Sequence, residues 1–202
     1  MPFNQTEAAQ PSFELPWLDR RGFLKSGLVA MGTGIVTMMA PPAFAGMRMP
    51  ENGSFKISFR NAHTGDSFSG VYRVGNKYLP DAFSRINYTL RDFRTGEEFP
   101  IDPRAIDIVY MLQQRIGQKN TPMEILSGYR SPKTNKMLRN ASSRSGVAKN
   151  SLHMVGQAID LRLPGYSTRR IRDMAIDMRA GGVGYYPKSD FVHVDTGKIR
   201  HW

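Results

Sequence analysis

The chain of 202 residues contains no cysteine. That absence excludes a disulfide framework, a thiolate zinc finger, an iron–sulfur cluster and a cysteine nucleophile. Histidine is scarce, at four residues, so any metal must be held by a few His, Asp and Glu side chains. Acidic residues are outnumbered by basic ones, 17 against 28, for a formal charge of +11. Such a surplus suits a polyanionic partner: nucleic acid, acidic lipid or an acidic wall polymer. At 40% hydrophobic and 22% charged, the composition has none of the marks of a collagenous, low-complexity or multi-spanning chain. The length accommodates one domain and a tail.

A long apolar run is also missing. The best candidate lies near the N-terminus, where Asp19-Arg20-Arg21-Gly22-Phe23-Leu24-Lys25 precedes a stretch with no charge until Arg48. Gly27, Gly32, Thr33, Gly34 and Thr37 dilute that stretch to roughly 15 apolar residues, short of the ~20 a membrane span needs. Paired arginines followed by Phe-Leu-Lys resemble the bacterial twin-arginine export signal. Pro41-Pro42-Ala43-Phe44-Ala45 reads as an A-x-A-like cleavage site. Residues 1–45 are therefore expected to be an export signal handled by the twin-arginine machinery, and 46–202 the mature, periplasmic domain. The signal carries as many basic as acidic residues, so the mature part keeps the whole surplus.

Within that part, residues 54–61 alternate apolar and polar as a strand does, and 67–74 supply its hairpin partner. Helical spacing runs from Pro80 to about Arg94 through Phe83, Ile86, Leu90 and Phe93, and again over 103–116, which Gly117 ends. A short strand is expected at 125–127, a helix from Pro132 to about Leu138 and a loop over 139–150. A strand follows over 158–163, then a helix after Ser167 and closing strands at 181–185 and 191–194. Met111, Met174 and Met178 fall on core-facing helical positions. The order β-β-α-α-β-α-β-α-β-β predicts a single α+β domain with a mostly antiparallel sheet flanked by helices.

Two histidines stand where a bystander is costly. His153 precedes Gly156 and a strand in which Asp160 is embedded between Ile159 and Leu161. A carboxylate among apolar residues needs a cation. His193 sits in another apolar strand, among Phe191, Val192 and Val194. Two imidazoles and one carboxylate complete the protein ligand set of a catalytic zinc, whose fourth position is left for water. Asp190, three residues before His193, is a candidate general base beside that water. His63 and His201 read as surface and tail residues, and Asp195 as the cap of the Thr196-Gly197 turn.

Three blocks together carry a family resemblance. They are Ser127-Gly128-Tyr129-Arg130-Ser131-Pro132, then Ser151-x-His153-x-x-Gly156-x-Ala158-x-Asp160, then Gly181-Gly182-Val183-Gly184-Tyr185 leading to Asp190-x-x-His193-x-Asp195. The chain resembles the D-alanyl-D-alanine peptidase and hedgehog-type zinc metallopeptidase superfamily, and within it the YcbK-like exported murein endopeptidases. The resemblance spans roughly residues 50–202 and implies the fold of that superfamily. It implies one zinc ion on His153, Asp160 and His193, with Asp190 as general base. It also implies Arg130 as oxyanion or carboxylate binder, with Ser127, Tyr129, Ser151 and Gln157 around ligands or substrate.

The activity implied is hydrolysis of peptidoglycan stem-peptide cross-links in wall turnover or biogenesis. A D,D- or L,D-carboxypeptidase on the same peptides and a non-catalytic wall-binding domain are the alternatives. The free carboxylates of murein peptides give the +11 charge a target, with Arg139, Arg144 and Lys149 expected at the cleft mouth. Nucleic acid is not an expected partner, since no basic stripe is interleaved with aromatics.

Overall fold

Strict alternation in Ser54–Asn61 builds β1, which turns Phe55, Ile57, Phe59 and Asn61 inward. Ser67–Val74 returns antiparallel as β2. The computed structural model describes residues 49–118, 121–141 and 146–202. The export segment expected over 1–45 lies outside the described residues, as does Arg144. No helix among the described residues is long and apolar enough to cross a membrane.

The helices are α1 (Pro80–Thr89), α2 (Pro103–Ile116), α3 (Pro132–Asn140) and α4 (Thr168–Met178). Two of them begin on a side-chain cap, whereas Ser167, expected to cap α4, makes no such bond among the described residues. Asp102 caps α2 by accepting from the Arg104 amide at 3.0 Å, and Gly117 ends that helix in the left-handed region at φ 78°. The Ser131 side chain caps α3 by accepting from the Thr134 amide at 3.2 Å. Such caps satisfy amides that the helix itself leaves unpaired.

The remaining strands are β3 (Lys77–Tyr78), β4 (Met123–Ser127), β5 (Ala158–Arg162), β6 (Gly182–Tyr186), β7 (Phe191–Asp195) and β8 (Arg200–His201). They form one eight-stranded sheet in the order β3-β2-β1-β4-β5-β7-β6-β8. Only β1–β4 and β6–β8 pair in parallel; the other neighbours are antiparallel, as expected. Ile159, Leu161, Val192 and Val194 face the core with residues of α2 and α4, among them Ile106, Leu112, Ile171 and Met178.

Two expectations change. The first helix stops at Thr89 rather than near Arg94, because the Leu90 carbonyl leaves the helical ladder to accept from the Tyr129 amide at 2.8 Å. Phe93, expected on the helix's apolar face, stacks instead on His63 at 3.8 Å between ring centroids. The sheet also gains β3 and β8 at its two edges. Each has two residues, too short for an alternating pattern to register.

One buried ion pair fastens β2 to α2. Asp107 accepts from the hydroxyls of Tyr72 and Tyr78, at 2.7 and 2.6 Å, and from Arg73 Nη1 at 3.0 Å. Both charged side chains are more than nine-tenths buried. Removing one member of such a pair strands the other charge. Asp107→Ala is therefore expected to destabilise the protein by about 3 kcal/mol or more, as read from the urea unfolding midpoint.

Candidate metal centre

Register across the sheet assembles the site. Asp160 on β5 lies opposite His193 on β7, and opposite Ser127 on β4 on its other side. His193 lies opposite Gly184 on β6. Residues directly opposite on neighbouring strands share a face. A row of Ser127, Asp160, His193 and Gly184 thus crosses four strands, on the face opposite the core residues Ile159, Leu161, Val192 and Val194.

His153 reaches that row from a 3-10 turn, Leu152–Val155, which Ser151 opens. Gly156 closes the turn in the left-handed region at φ 66°. A Cβ there would come within 2.1 Å of the Pro100 carbonyl oxygen, so glycine is needed both for its backbone angle and for its lack of a side chain. Main-chain hydrogen bonds tie the turn down. Gln157 N–H donates to the Leu152 carbonyl at 2.9 Å, and Thr196 N–H donates to the Gln157 carbonyl at 3.0 Å.

The two rings are oriented by acceptors behind them. His153 Nδ1 donates to the Gly128 carbonyl at 2.8 Å, leaving its Nε2 lone pair facing the row. His193 Nε2 meets Asp195 Oδ2 at 3.1 Å, which turns Nδ1 toward Asp160. Asp160 Oδ1 lies 3.2 Å from His153 Nε2 and 2.8 Å from His193 Nδ1, and the two nitrogens are 3.2 Å apart. All three donor atoms lie within 4.8 Å of one another. The set is two nitrogens and one oxygen, each ring with its outer nitrogen committed to a carbonyl or a carboxylate. This is the arrangement by which proteins fix histidine ligands for zinc.

Charge balance follows from this packing. Burial favours the neutral form of His153 and lowers its pKa. Burial acts the same way on His193, but hydrogen bonds to Asp160 and Asp195 outweigh it and raise its pKa to about 9. Burial alone would raise Asp160; the charge and hydrogen bonds of His153, with those of His193, hold it far below the carboxylate range instead.

The other expected site residues divide into two groups. Arg130 joins the centre: Nη2 lies 3.4 Å from Asp160 Oδ2 and 3.3 Å from Ser127 Oγ, and its amide donates to the His153 carbonyl at 3.1 Å. Its buried Nε has no hydrogen-bond partner among the described residues. Ser127 is thereby part of the same row. Tyr129 instead stacks on Phe99, centroids 5.0 Å apart. The Ser151 carbonyl accepts from the Met154 amide at 3.0 Å, and the ties given above for Gln157 are likewise through its main chain. Asp190 is not brought into the cluster. It precedes β7 with a left-handed φ of 50°, accepts from Thr168 Oγ1 at 2.9 Å, and lies 4.0 Å from Arg162 Nη1.

Sequence reasoning undervalued Asp195 and missed Arg200 and Trp202. Asp195 does accept from the Gly197 amide, at 2.8 Å, as a turn cap should. It also holds His193, and Arg200 holds it in turn. Trp202 places its indole 5.3 Å from the His193 ring. The alternation that puts His193 and Asp195 on one face of β7 was the available signal for Asp195.

Comparison with known proteins identifies a family for the chain. The family model for peptidoglycan L,D-endopeptidase MepK matches residues 50–202. The chain is 43% identical over 184 residues to peptidoglycan L,D-endopeptidase MepK of Escherichia coli K12, covering 91% of this chain and 97% of the relative. It is 36% identical over 184 residues to the probable peptidoglycan L,D-endopeptidase MepK of Haemophilus influenzae, covering 91% and 95%.

A pH dependence follows for the metal-free protein. The folded pKa of His193, about 9, lies above its unfolded value. Its stabilising contribution is thus fully present below about pH 6.5 and is lost as pH rises through about 9. With chelator present, the urea midpoint is expected to fall between pH 7 and pH 9.5. This His193-dependent fall should be absent from His193→Gln.

Proposed function

This chain belongs to the peptidoglycan L,D-endopeptidase MepK family of peptidases, and we propose that it is a zinc-dependent murein endopeptidase hydrolysing stem-peptide cross-links. The observation that carries the reading is the convergence of His153 Nε2, Asp160 Oδ1 and His193 Nδ1 on one point. In this reading those atoms hold one zinc ion, which supplies Lewis acidity beside the scissile carbonyl. Arg130, whose Nη2 lies beside Asp160 and Ser127, receives the developing oxyanion or a substrate carboxylate. Ser127 keeps the guanidinium in the row.

The relatives' L,D designation favours one bond among those a murein endopeptidase can cut. A link from the L-centre of one diaminopimelate to the D-centre of the next is an L,D bond. A link from D-alanine to diaminopimelate is a D,D bond. We assign the first to this chain. Residues 1–45 serve in this reading as a twin-arginine export signal, and the domain works on peptidoglycan in the periplasm.

General-base duty for Asp190 is carried forward with a demand attached: its carboxylate must exchange Thr168 for the attacking water. Asp190→Asn is expected to lower kcat by about 100-fold or more, the worth of a positioned base. Activity near that of the unsubstituted protein moves the duty to another group.

The reading itself is tested on murein sacculi with the purified protein, with and without chelator, reading products by mass. Cross-linked dimers should resolve to monomers, stop doing so with chelator, and resume when zinc is restored. Loss of only a terminal residue from each stem would make the enzyme a carboxypeptidase. No chelator-sensitive product would remove the metallopeptidase reading.

A further inference from the structure

We propose that the last strand of the sheet is part of the metal centre, with Arg200 as a positioning residue that holds Asp195 and, through it, His193. The inference rests on the reading of His153, Asp160 and His193 as metal ligands. It concerns a residue 40 positions beyond Asp160 that lies in no part of the zinc motif.

Asp195 is wholly buried. Its Oδ2 faces His193 Nε2 at 3.1 Å and accepts from Arg200 Nη2 at 2.7 Å. Its Oδ1 accepts from Arg200 Nη1 at 3.1 Å, from the Gly182 amide at 3.0 Å and from the Gly197 amide at 2.8 Å. The two-pronged Arg200 contact fixes the carboxylate in rotation as well as position, which a single ammonium cannot do. A ligating His193 keeps one N–H, at Nε2, and Asp195 is its acceptor. A buried carboxylate in that role needs a cation of its own, and Arg200 supplies it.

Arg200 is itself held from both sides. β8 runs parallel to β6 with Arg200 opposite Gly182. Beyond it, Trp202 N–H donates to the Val183 carbonyl at 3.1 Å, and Tyr185 N–H donates to the Trp202 carbonyl at 3.0 Å. The indole lies 5.0 Å from the guanidinium, and its Nε1 donates to the Tyr186 hydroxyl at 2.9 Å. Room for the ion pair comes from Gly182. A Cβ there would lie 2.4 Å from Asp195 Oδ2 and 2.5 Å from Arg200 Nη1. Backbone, ring and glycine thus converge on one guanidinium, whose Nη1 also donates to the Lys198 carbonyl at 3.0 Å and whose two prongs hold the partner of a ligand.

The test measures zinc affinity of the full chain by competition with a chromophoric chelator, with circular dichroism of the metal-free protein as the folding control. Loss of a partner behind a metal ligand typically weakens binding about 10- to 100-fold, and that loss is expected for Arg200→Met. Arg200→Lys, which keeps the charge and loses the fork, should recover only part of it. The cobalt-loaded form of either variant should show a shifted visible spectrum, since the His193 ring is less well aimed. If Arg200→Met does not fold, Arg200→Lys decides: a loss of threefold or more supports the inference, and wild-type affinity overturns it. Wild-type affinity in a folded Arg200→Met also overturns it. Failure of the unsubstituted protein to bind one zinc would overturn the ligand assignment, a separate result.

Discussion

A carboxylate buried between two imidazoles and a guanidinium governs this domain. Asp160 occupies a strand whose other face belongs to the core, and its side chain is buried. Three separate parts of the chain answer its charge: the block after β4 with Arg130 and Ser127 beside it, the 3-10 turn with His153, and β7 with His193. The pairing of β5 with β7 has little freedom as a result. A one-residue slip would turn His193 into the core and Val192 or Val194 onto the face that carries Asp160. Packing and chemistry therefore select the same register, and the sheet cannot satisfy one without the other.

The ring orientations show the same economy. Each histidine presents one nitrogen to the row and commits the other behind it, His153 to the Gly128 carbonyl and His193 to Asp195. Gly128 comes from the Ser127–Pro132 block, so a block that supplies neither histidine still determines how one ring points. Its glycine is crowded as well: a Cβ there would meet the Leu90 carbonyl oxygen at 2.6 Å. The early end of α1, the strand β4 and the turn bearing His153 meet at that place. This explains why the chain departs from helical geometry at Leu90, while the side-chain spacing continues to suggest a helix.

What the sequence made legible was whatever a short stretch of chain decides. His153 and Asp160 flank a turn that Gly156 permits, and the alternation in β7 assigns His193 to a face. Those patterns need no knowledge of distant partners. Asp190 sits apart from the cluster because it precedes β7 with a left-handed backbone and takes its own direction, toward Thr168, which spacing along the chain does not reveal. Tyr129 stacks on Phe99 while its neighbour Arg130 joins the row, a division that the motif block alone does not display. Arg200 carried no local sign, because its connection to Asp195 depends on a two-residue parallel strand and on the empty space at Gly182.

The span between the two histidines has a mechanical meaning. His153 and His193 are 40 positions apart, and the chain between them contains β5, α4 and β6. An ion bridging them would close that length into a covalent-like ring. Closing a loop of this size removes freedom mainly from the unfolded chain, as a crosslink does. In a domain without a single cysteine, the metal would then do what a disulfide does elsewhere. Occupancy would be felt across the carboxyl-terminal half of the sheet as resistance to opening, well away from any substrate.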